Sequence, residues 1–266
     1  MFASDRPLVF GHRGGAKIGP ENTMVAFARG LAAGADGVEC DVRLSSDGVP
    51  MVIHDPTLDR TTDHTGPVSG LTAEGLGRVD ATCRFQPGDP ACAVTEVVGV
   101  PTLLSVLQEF PSTRVIIELK DTHIALAHAV ADLVRRLGAQ RRVCVGSFHA
   151  AVLAAFRAAA PEVTTSASMA EARRTLARSW IPIPRFGPAP YRAFQVPERS
   201  GRLRVVRPAF VRQVHREGAV VQVWVVDSPT DIRRLLTMGV DGVISDRPDL
   251  AVPARDAWVT SAAPAR

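Results

Sequence analysis

Four short segments carry side chains able to work on a phosphate. Glu39 and Asp41 lie two positions apart in the run GADGVECDVRL. On a strand, that spacing sends both carboxylates to one side. In a closed parallel barrel that side is the interior, close to the C-terminal mouth. Two ionised carboxylates there repel and shift each other's pKa, a conflict that a hard divalent cation removes by taking oxygen ligands. The plainer alternative is an exposed acidic pair on an edge strand, and the apolar flanks speak against it. The same spacing recurs at Glu118-x-Lys120, after Val115-Ile116-Ile117. Glu118 can complete an oxygen triad and Lys120 can offer a point charge to a phosphate oxygen. Taken alone, this pair fits a simple ion pair at a strand end equally well.

Two histidines end apolar runs. His12-Arg13-Gly14-Gly15 follows Leu8–Gly11, and His54-Asp55 follows Met51-Val52-Ile53. Glycines let backbone approach a ligand, Arg13 can bind phosphate through two parallel hydrogen bonds, and His12 can move protons near neutral pH. A lone strand histidine is more often structural. Two of them, each at a strand end beside the carboxylates, are harder to dismiss: a phosphodiester cleavage needs one proton removed from the nucleophile and one delivered to the leaving alkoxide, and two histidines can divide those tasks.

The elements that must position these residues follow from periodicity. Short β-branched runs are expected as strands over 8–11, 37–42, 50–54, 114–119, 142–147, 163–167, 192–196, 219–226 and 241–245. Ala/Leu/Arg-rich stretches between them predict helices over 22–33, 103–109, 124–137, 150–159, 208–217 and 229–238. This alternation is that of parallel βα units, and 266 residues is an ordinary length for an α/β fold of the (β/α)8 TIM-barrel type, somewhat distorted. Nine strand candidates exceed eight. RLSSDGV is too short for a crossover helix and contains the turn signal Asp47-Gly48, so 50–54 should fold back beside the second strand, with its place in the barrel left open. Residues 55–100 break the rhythm and read as an insertion too poor in apolar positions for its own core. A single domain over 1–251 and a frayed Ala/Pro-rich tail over 252–266 are expected.

Composition narrows the rest. The net charge of +4 suits an anionic substrate, but no basic run with interleaved aromatics points to nucleic acid. No apolar run of about 20 residues suggests stable membrane insertion, and MFASDRPLVFGHRGG does not read as a signal peptide, so a cytoplasmic protein is expected. Cys83 and Cys92 flank a Gly/Pro loop and can pair, although free thiols are expected in a reducing cytosol. Oligomeric state is not legible.

The segments GHRGG, PENTMVAFARGLAAGADGVECDVRLSSDGVPMVIHDPTLDRTT, VIIELK, VWVVD and GVDGVISDRPD, in this order, resemble the glycerophosphodiester phosphodiesterase family over nearly the whole chain, most closely over 11–62. The resemblance implies metal-dependent hydrolysis of a small phosphodiester to sn-glycerol 3-phosphate and an alcohol. It makes His12 and His54 the general acid/base pair, and Glu39, Asp41 and Glu118 the ligands of one divalent cation, calcium or magnesium. It assigns Arg13 and Lys120 to the phosphate, and Gln195 and Trp224 to the glycerol side, with a core role for Trp224 nearly as apt. Asn22 matches a family element that orients the site or caps the next helix, the cap being preferred. Two departures stand out. Asp227 replaces the family's usual Asn in Trp-Thr-Val-Asn, adding rim charge or capping a helix, and 180–190 has no firm counterpart. That proline-dense stretch reads as a packed rim loop, or as an apolar lid through Trp180, Ile181, Ile183 and Phe186. The lid would suit a lysophospholipase D-like activity. The other rivals are a phosphatidylinositol-type phospholipase, disfavoured by the Glu/Asp/Glu triad and Glu118-x-Lys120, and an inactive barrel serving as a binding module.

Overall fold

The β-branched runs become the staves of a barrel. A computed structural model describes every residue except 3, 181–186, 188 and 263–266; the lid reading of 180–190 therefore lies largely outside the described residues. In chain order come β1 (Leu8–Gly11), α1 (Met24–Ala32), β2 (Gly37–Leu44), β3 (Pro50–Val52), α2 (Ala73–Leu76), α3 (Leu103–Glu109) and β4 (Arg114–Leu119). Next are α4 (Ile124–Arg136), β5 (Val143–Gly146), α5 (Ala150–Ala159), β6 (Thr164–Thr165), α6 (Met169–Arg178) and β7 (Ala193–Pro197). The chain continues through β8 (Arg199–Ser200), β9 (Leu203–Arg204), α7 (Pro208–Arg216), β10 (Val220–Trp224), α8 (Pro229–Thr237), β11 (Gly242–Ser245) and α9 (Pro248–Ala262).

Eight parallel strands run in the order β6-β5-β4-β2-β1-β11-β10-β7. The remaining seam is nearly closed by a bridge between Ser166 and Ala193, where the Ala167 amide donates to the Ala193 carbonyl at 2.7 Å. The expected α/β barrel is therefore the observed one. The ninth strand candidate is also resolved: β3 pairs antiparallel with β2, Val42 opposite Val52, and stands outside the ring. That hairpin brings His54 back beside β2.

Inside the ring, period-two alternation sets the layers. Leu8, Phe10, Ile116 and Ile244 form an apolar plug. One step further along the same faces come His12, Glu118 and Asp246, so the chemistry sits directly above the plug at the C-terminal mouth. Outside, valines and leucines of the strands meet the apolar stripes of the helices in two large clusters, one centred on β2, β4 and β5, the other on β7, β10 and β11.

Three expectations need correction. The insertion does hold a small core: Leu58, Val68, Leu76, Val79, Ala81 and Val100 pack on Met51 and Ile53. Its apolar residues are irregularly spaced, and Met51 of β3 and Ile53 just after it complete the cluster, so periodicity does not reveal it. Helix α6 stands where no helix was expected, opened by a capping box between Ser168 and Glu171. The supposedly frayed tail is helical through Ala262, and Arg255 on it is 1% exposed. Arg255 Nη1 donates to Asp36 Oδ2 at 2.6 Å, and the same oxygen accepts from the Val9 amide at 2.8 Å, pinning α9 to the base of β1. All four cysteines are free thiols.

Asp36 also accepts from Arg6 Nη2 at 2.9 Å, so its charge keeps a partner when Arg255 is removed. Arg255→Met should therefore lower the free energy of unfolding in urea by about 1.5–3 kcal/mol, the worth of a hydrogen bond to a charged group, and wild-type stability would refute the anchoring role of α9.

Candidate active site

The loop after β1 is shaped to aim two side chains. His12–Gly14 forms one tight turn, with Arg13 at φ 51° and Asn22 at φ 58°, both in the left-handed region that non-glycine residues rarely adopt. The turn lies hard against α1: a Cβ on Gly30 would stand 2.0 Å from the Gly14 carbonyl oxygen. The N-cap of α1 is Thr23, whose hydroxyl accepts from the Ala26 amide. The preferred reading of Asn22 as a cap thus fails. Its side chain instead forms a reciprocal pair with Asp41, donating to Oδ2 at 2.9 Å and accepting from the Asp41 amide at 3.2 Å.

Glu39 and Asp41 project from β2, and the register sets Asp41 opposite Glu118 on β4. One carboxylate oxygen from each of the three lies within 4.8 Å of the others. Glu39 is 5% exposed and Asp41 is 1% exposed. Two cations face this trio. Lys120 Nζ stands 3.1 Å from both Asp41 Oδ1 and Glu118 Oε1, and Arg13 Nε stands 3.2 Å from Asp41 Oδ2. The Arg13 amide adds a hydrogen bond to Glu39 Oε2 at 3.0 Å.

Charge is unevenly balanced. Burial, then the neighbouring Asp41, pushes the Glu39 carboxyl up to about 7. Burial also raises Glu118. Asp41 goes the other way, because Lys120 and Arg13 outweigh its burial. Three carboxylates against two cations leave an excess of negative charge, and Glu118 Oε1 and Arg13 Nε are buried without a directed hydrogen bond. An all-oxygen donor set of three converging carboxylates, carrying more negative charge than its two cations offset, fits a hard divalent cation.

Each imidazole is oriented by its own aspartate. His12 Nδ1 lies 2.7 Å from Asp246 Oδ1, and its Nε2 lies 3.9 Å from Glu39 Oε2. His54 Nδ1 lies 2.6 Å from Asp55 Oδ1. Their basicities diverge. Burial lowers His12, but the Asp246 hydrogen bond and the Glu39 charge more than reverse it, so it ends above the ordinary value. For His54, burial prevails over Asp41 and Asp55, and it ends below.

Both histidines, Arg13, Glu39, Glu118, Lys120, Gln195 and Trp224 line one cavity of about 320 Å³. Asp41 lies just beneath, fully covered. Gln195 Nε2 donates to Gln222 Oε1 at 3.1 Å. Trp224 meets Phe148 edge to face at 6.2 Å, so it forms cavity wall as well as packing on the apolar plug. Asp227 is neither a free rim charge nor a side-chain cap. Its Oδ1 accepts from Ser245 Oγ and the Asp246 amide, and its Oδ2 from Lys17 Nζ at 2.7 Å. Sequence reasoning missed Asp246, Lys17, Glu21 and Arg60. Glu21 and Asp246 lie inside segments already singled out, PENT and ISDRPD, but only the meeting of loops shows their partners.

An α/β barrel with carboxylates, imidazoles and cations grouped at its C-terminal mouth has the layout of an enzyme for an anionic substrate. Residues 12–250 match the model of the glycerophosphoryl diester phosphodiesterase family. The chain is 34% identical over 254 residues to a glycerophosphodiester phosphodiesterase of Bacillus altitudinis, covering 93% of this chain and 98% of that one. It is 29% identical over 252 residues to one of Caldanaerobacter subterraneus subsp. tengcongensis, covering 93% and 97% respectively. The crystal structure of glycerophosphodiester phosphodiesterase from Agrobacterium tumefaciens superposes with a TM-score of 0.77 at 30% identity, over 93% of this chain and 99% of that one. The chain belongs to the glycerophosphoryl diester phosphodiesterase family.

A carboxyl raised in the folded state makes folding take up a proton, so its contribution to stability falls as pH rises from its unfolded value towards about 7. With chelator present, Glu39→Gln should be more stable than wild type, by a margin that widens from about pH 5 to about pH 8. Urea midpoints that track each other across that range would contradict the electrostatics described for Glu39.

Proposed function

We propose that this chain hydrolyses small glycerophosphodiesters to sn-glycerol 3-phosphate and an alcohol, with one divalent cation, calcium or magnesium, held by Glu39, Asp41 and Glu118. The observation that carries the reading is convergence. Three carboxylates separated by up to 79 positions (118 − 39) meet within 4.8 Å, beside two imidazoles lining the same cavity. Family membership supplies the substrate class.

A bound cation would supply electrostatic stabilisation of charge developing on the phosphate. Arg13 and Lys120 bind and orient the phosphate from the two sides of Asp41. The imidazoles move the protons. An oxygen nucleophile, either water or the substrate's own glycerol 2-hydroxyl, forms a new P–O bond and loses its proton to one histidine. The P–O bond to the leaving alcohol breaks, and the other histidine protonates that oxygen. If the 2-hydroxyl attacks, the product of this step is a cyclic phosphate, and water opens it in a second displacement with the two imidazoles in exchanged roles, breaking the P–O bond to the 2-oxygen to leave glycerol 3-phosphate. Asp246 and Asp55 hold each ring so that Nε2 is the nitrogen left for this work. Gln195 and Trp224 line the same cavity, and the family resemblance supports a role for them on the side of the substrate's glycerol.

Release of glycerol 3-phosphate from glycerophosphocholine, followed by a coupled assay with added calcium or magnesium, tests the reading directly. His12→Ala and Glu39→Ala should each lower turnover by about 10²–10⁴-fold, and ordinary turnover in both variants would defeat the assignment. Binding confined to the folded state stabilises it, by about 2.7 kcal/mol at a hundredfold excess over Kd. The cation should accordingly raise the melting temperature of the wild type and leave that of Glu39→Ala unmoved.

A further inference from the structure

Arg60 lies outside the cavity lining, yet it links two of the groups that the proposed chemistry depends on. It follows β3 in the first turn of the insertion, between Leu58 and Thr62, which are 1% and 0% exposed. Leu58 is held by its amide on the Gly66 carbonyl at 2.9 Å and by the small core of the insertion, and Thr62 Oγ1 donates back to the Leu58 carbonyl. The backbone at Arg60 is thereby fixed, while its side chain, 48% exposed, reaches back over the mouth of the barrel.

There a single guanidinium bridges two carboxylates. Arg60 Nε donates to Asp55 Oδ2 at 2.5 Å. Its Nη1 and Nη2 take the two oxygens of Glu21 at 2.7 and 2.8 Å. Each carboxylate also holds one functional cation or imidazole: Asp55 Oδ1 is on His54 Nδ1 at 2.6 Å, and Glu21 Oε1 is on Arg13 Nη1 at 2.7 Å.

We propose that Arg60 is a positioning residue for the phosphodiesterase reaction: it locks Asp55 onto His54 and neutralises Glu21 so that Arg13 is left to face the phosphate. The inference rests on the function proposed above. Its physical basis is competition for donors. Glu21 held in a two-point clasp by Arg60 takes only one N–H from Arg13, whose Nε stays without a directed hydrogen bond. Without Arg60, the planar fork of Arg13 is the nearest bidentate partner for Glu21, and the pairing would draw it away from the cavity. Asp55 would likewise lose the contact that fixes its plane, and with it the orientation of the His54 ring. The insertion therefore couples its own folding to both proton transfer and phosphate binding through one side chain.

The charged groups facing His54 are Asp55 from its own segment, Asp41 of β2, Arg13 of the β1 loop and Lys120 after β4. With the orientation of Asp55 lost, its hydrogen bond that supports the imidazolium weakens and burial pulls His54 further down. The limb of the pH–rate profile that reports His54 should then move to lower pH.

The test compares Arg60→Met, Arg60→Lys and the wild type on glycerophosphocholine with saturating cation. Supporting contacts of this kind typically contribute about 10–100-fold in activity. Arg60→Met should lose that much in kcat/KM, with KM raised and the limb that reports His54 displaced to lower pH. Guanidinium ion added to the solution should restore part of the loss, and Arg60→Lys should fall between. Melting temperatures should stay close to wild type, because an exposed ion pair contributes little to stability. Wild-type kinetics in Arg60→Met would overturn the proposal. So would a loss equal at every pH and untouched by guanidinium, which is the mark of a merely structural role. If Arg60→Met is insoluble, Arg60→Lys alone decides by the same readouts. If the wild type itself fails to cleave glycerophosphocholine, the functional reading falls instead, and imidazole NMR still judges the positioning. The hydrogen-bonded Nδ1 proton of His54 should be present in wild type and weakened or lost in Arg60→Met, and an unchanged signal would overturn the coupling.

Discussion

Crowding of negative charge at the dry end of a barrel is the constraint around which the molecule is arranged. Glu39, Asp41 and Glu118 are brought within 4.8 Å, the first two buried and the third half-buried at the cavity wall. Such a cluster is costly unless opposite charge and hydrogen bonds compensate it. Almost every unusual local feature nearby serves that compensation. Asn22 is held in a left-handed conformation so that it can pair with both the amide and the carboxylate of Asp41. Arg13, in the same conformation, turns its amide to Glu39 and its guanidinium to Asp41. Lys120 divides its charge between Asp41 and Glu118. Glu39 has neither Lys120 nor the Arg13 guanidinium in direct contact, and burial beside Asp41 pushes its carboxyl up to about 7.

Around this centre the supporting groups form two chains of contact. On one side, Lys17 and Ser245 hold Asp227, Asp227 holds the Asp246 amide, and the Asp246 carboxylate holds His12. On the other, Arg60 holds Asp55 and Glu21, which hold His54 and Arg13. Each chain ends in an imidazole whose Nδ1 is occupied. The two rings differ in their surroundings: His12 lies closer to an uncompensated carboxylate, and His54 sits among more cations. Environment rather than residue type thus separates two otherwise identical side chains, as happens where paired groups take complementary proton-transfer roles.

The division between readable and unreadable features follows the range of the interactions. Strands β1 and β4, and helices α3 and α5, are legible to the residue because β-branched alternation and apolar spacing are local properties of the chain. The hairpin β2–β3 is legible because Asp47-Gly48 fits a left-handed turn, and Gly48 does adopt φ 77°. The core of the insertion is illegible because its apolar residues follow no period, and α9 because Ala and Pro mask a helix held by one buried arginine. The roles of Asn22 and Asp227 were misjudged for a related reason. Both types are good local caps, and local capping is the natural inference when a long-range partner cannot be seen.

The sequence by itself determined that Glu39 and Asp41 share one side of a strand, that Glu118 and Lys120 do likewise, and that two histidines end apolar runs. Those facts depend only on a two-residue repeat. Which carboxylate keeps its proton, which aspartate steers which imidazole, and which arginine clasps Glu21 were decided by the closing of the barrel. Pairing of the first barrel strand with the last sets β11 beside β1, next to β2 and β4, and the insertion folds back over their ends. Electrostatic energies depend on distance through space, and residues 12 and 246 become neighbours only once the ring is complete.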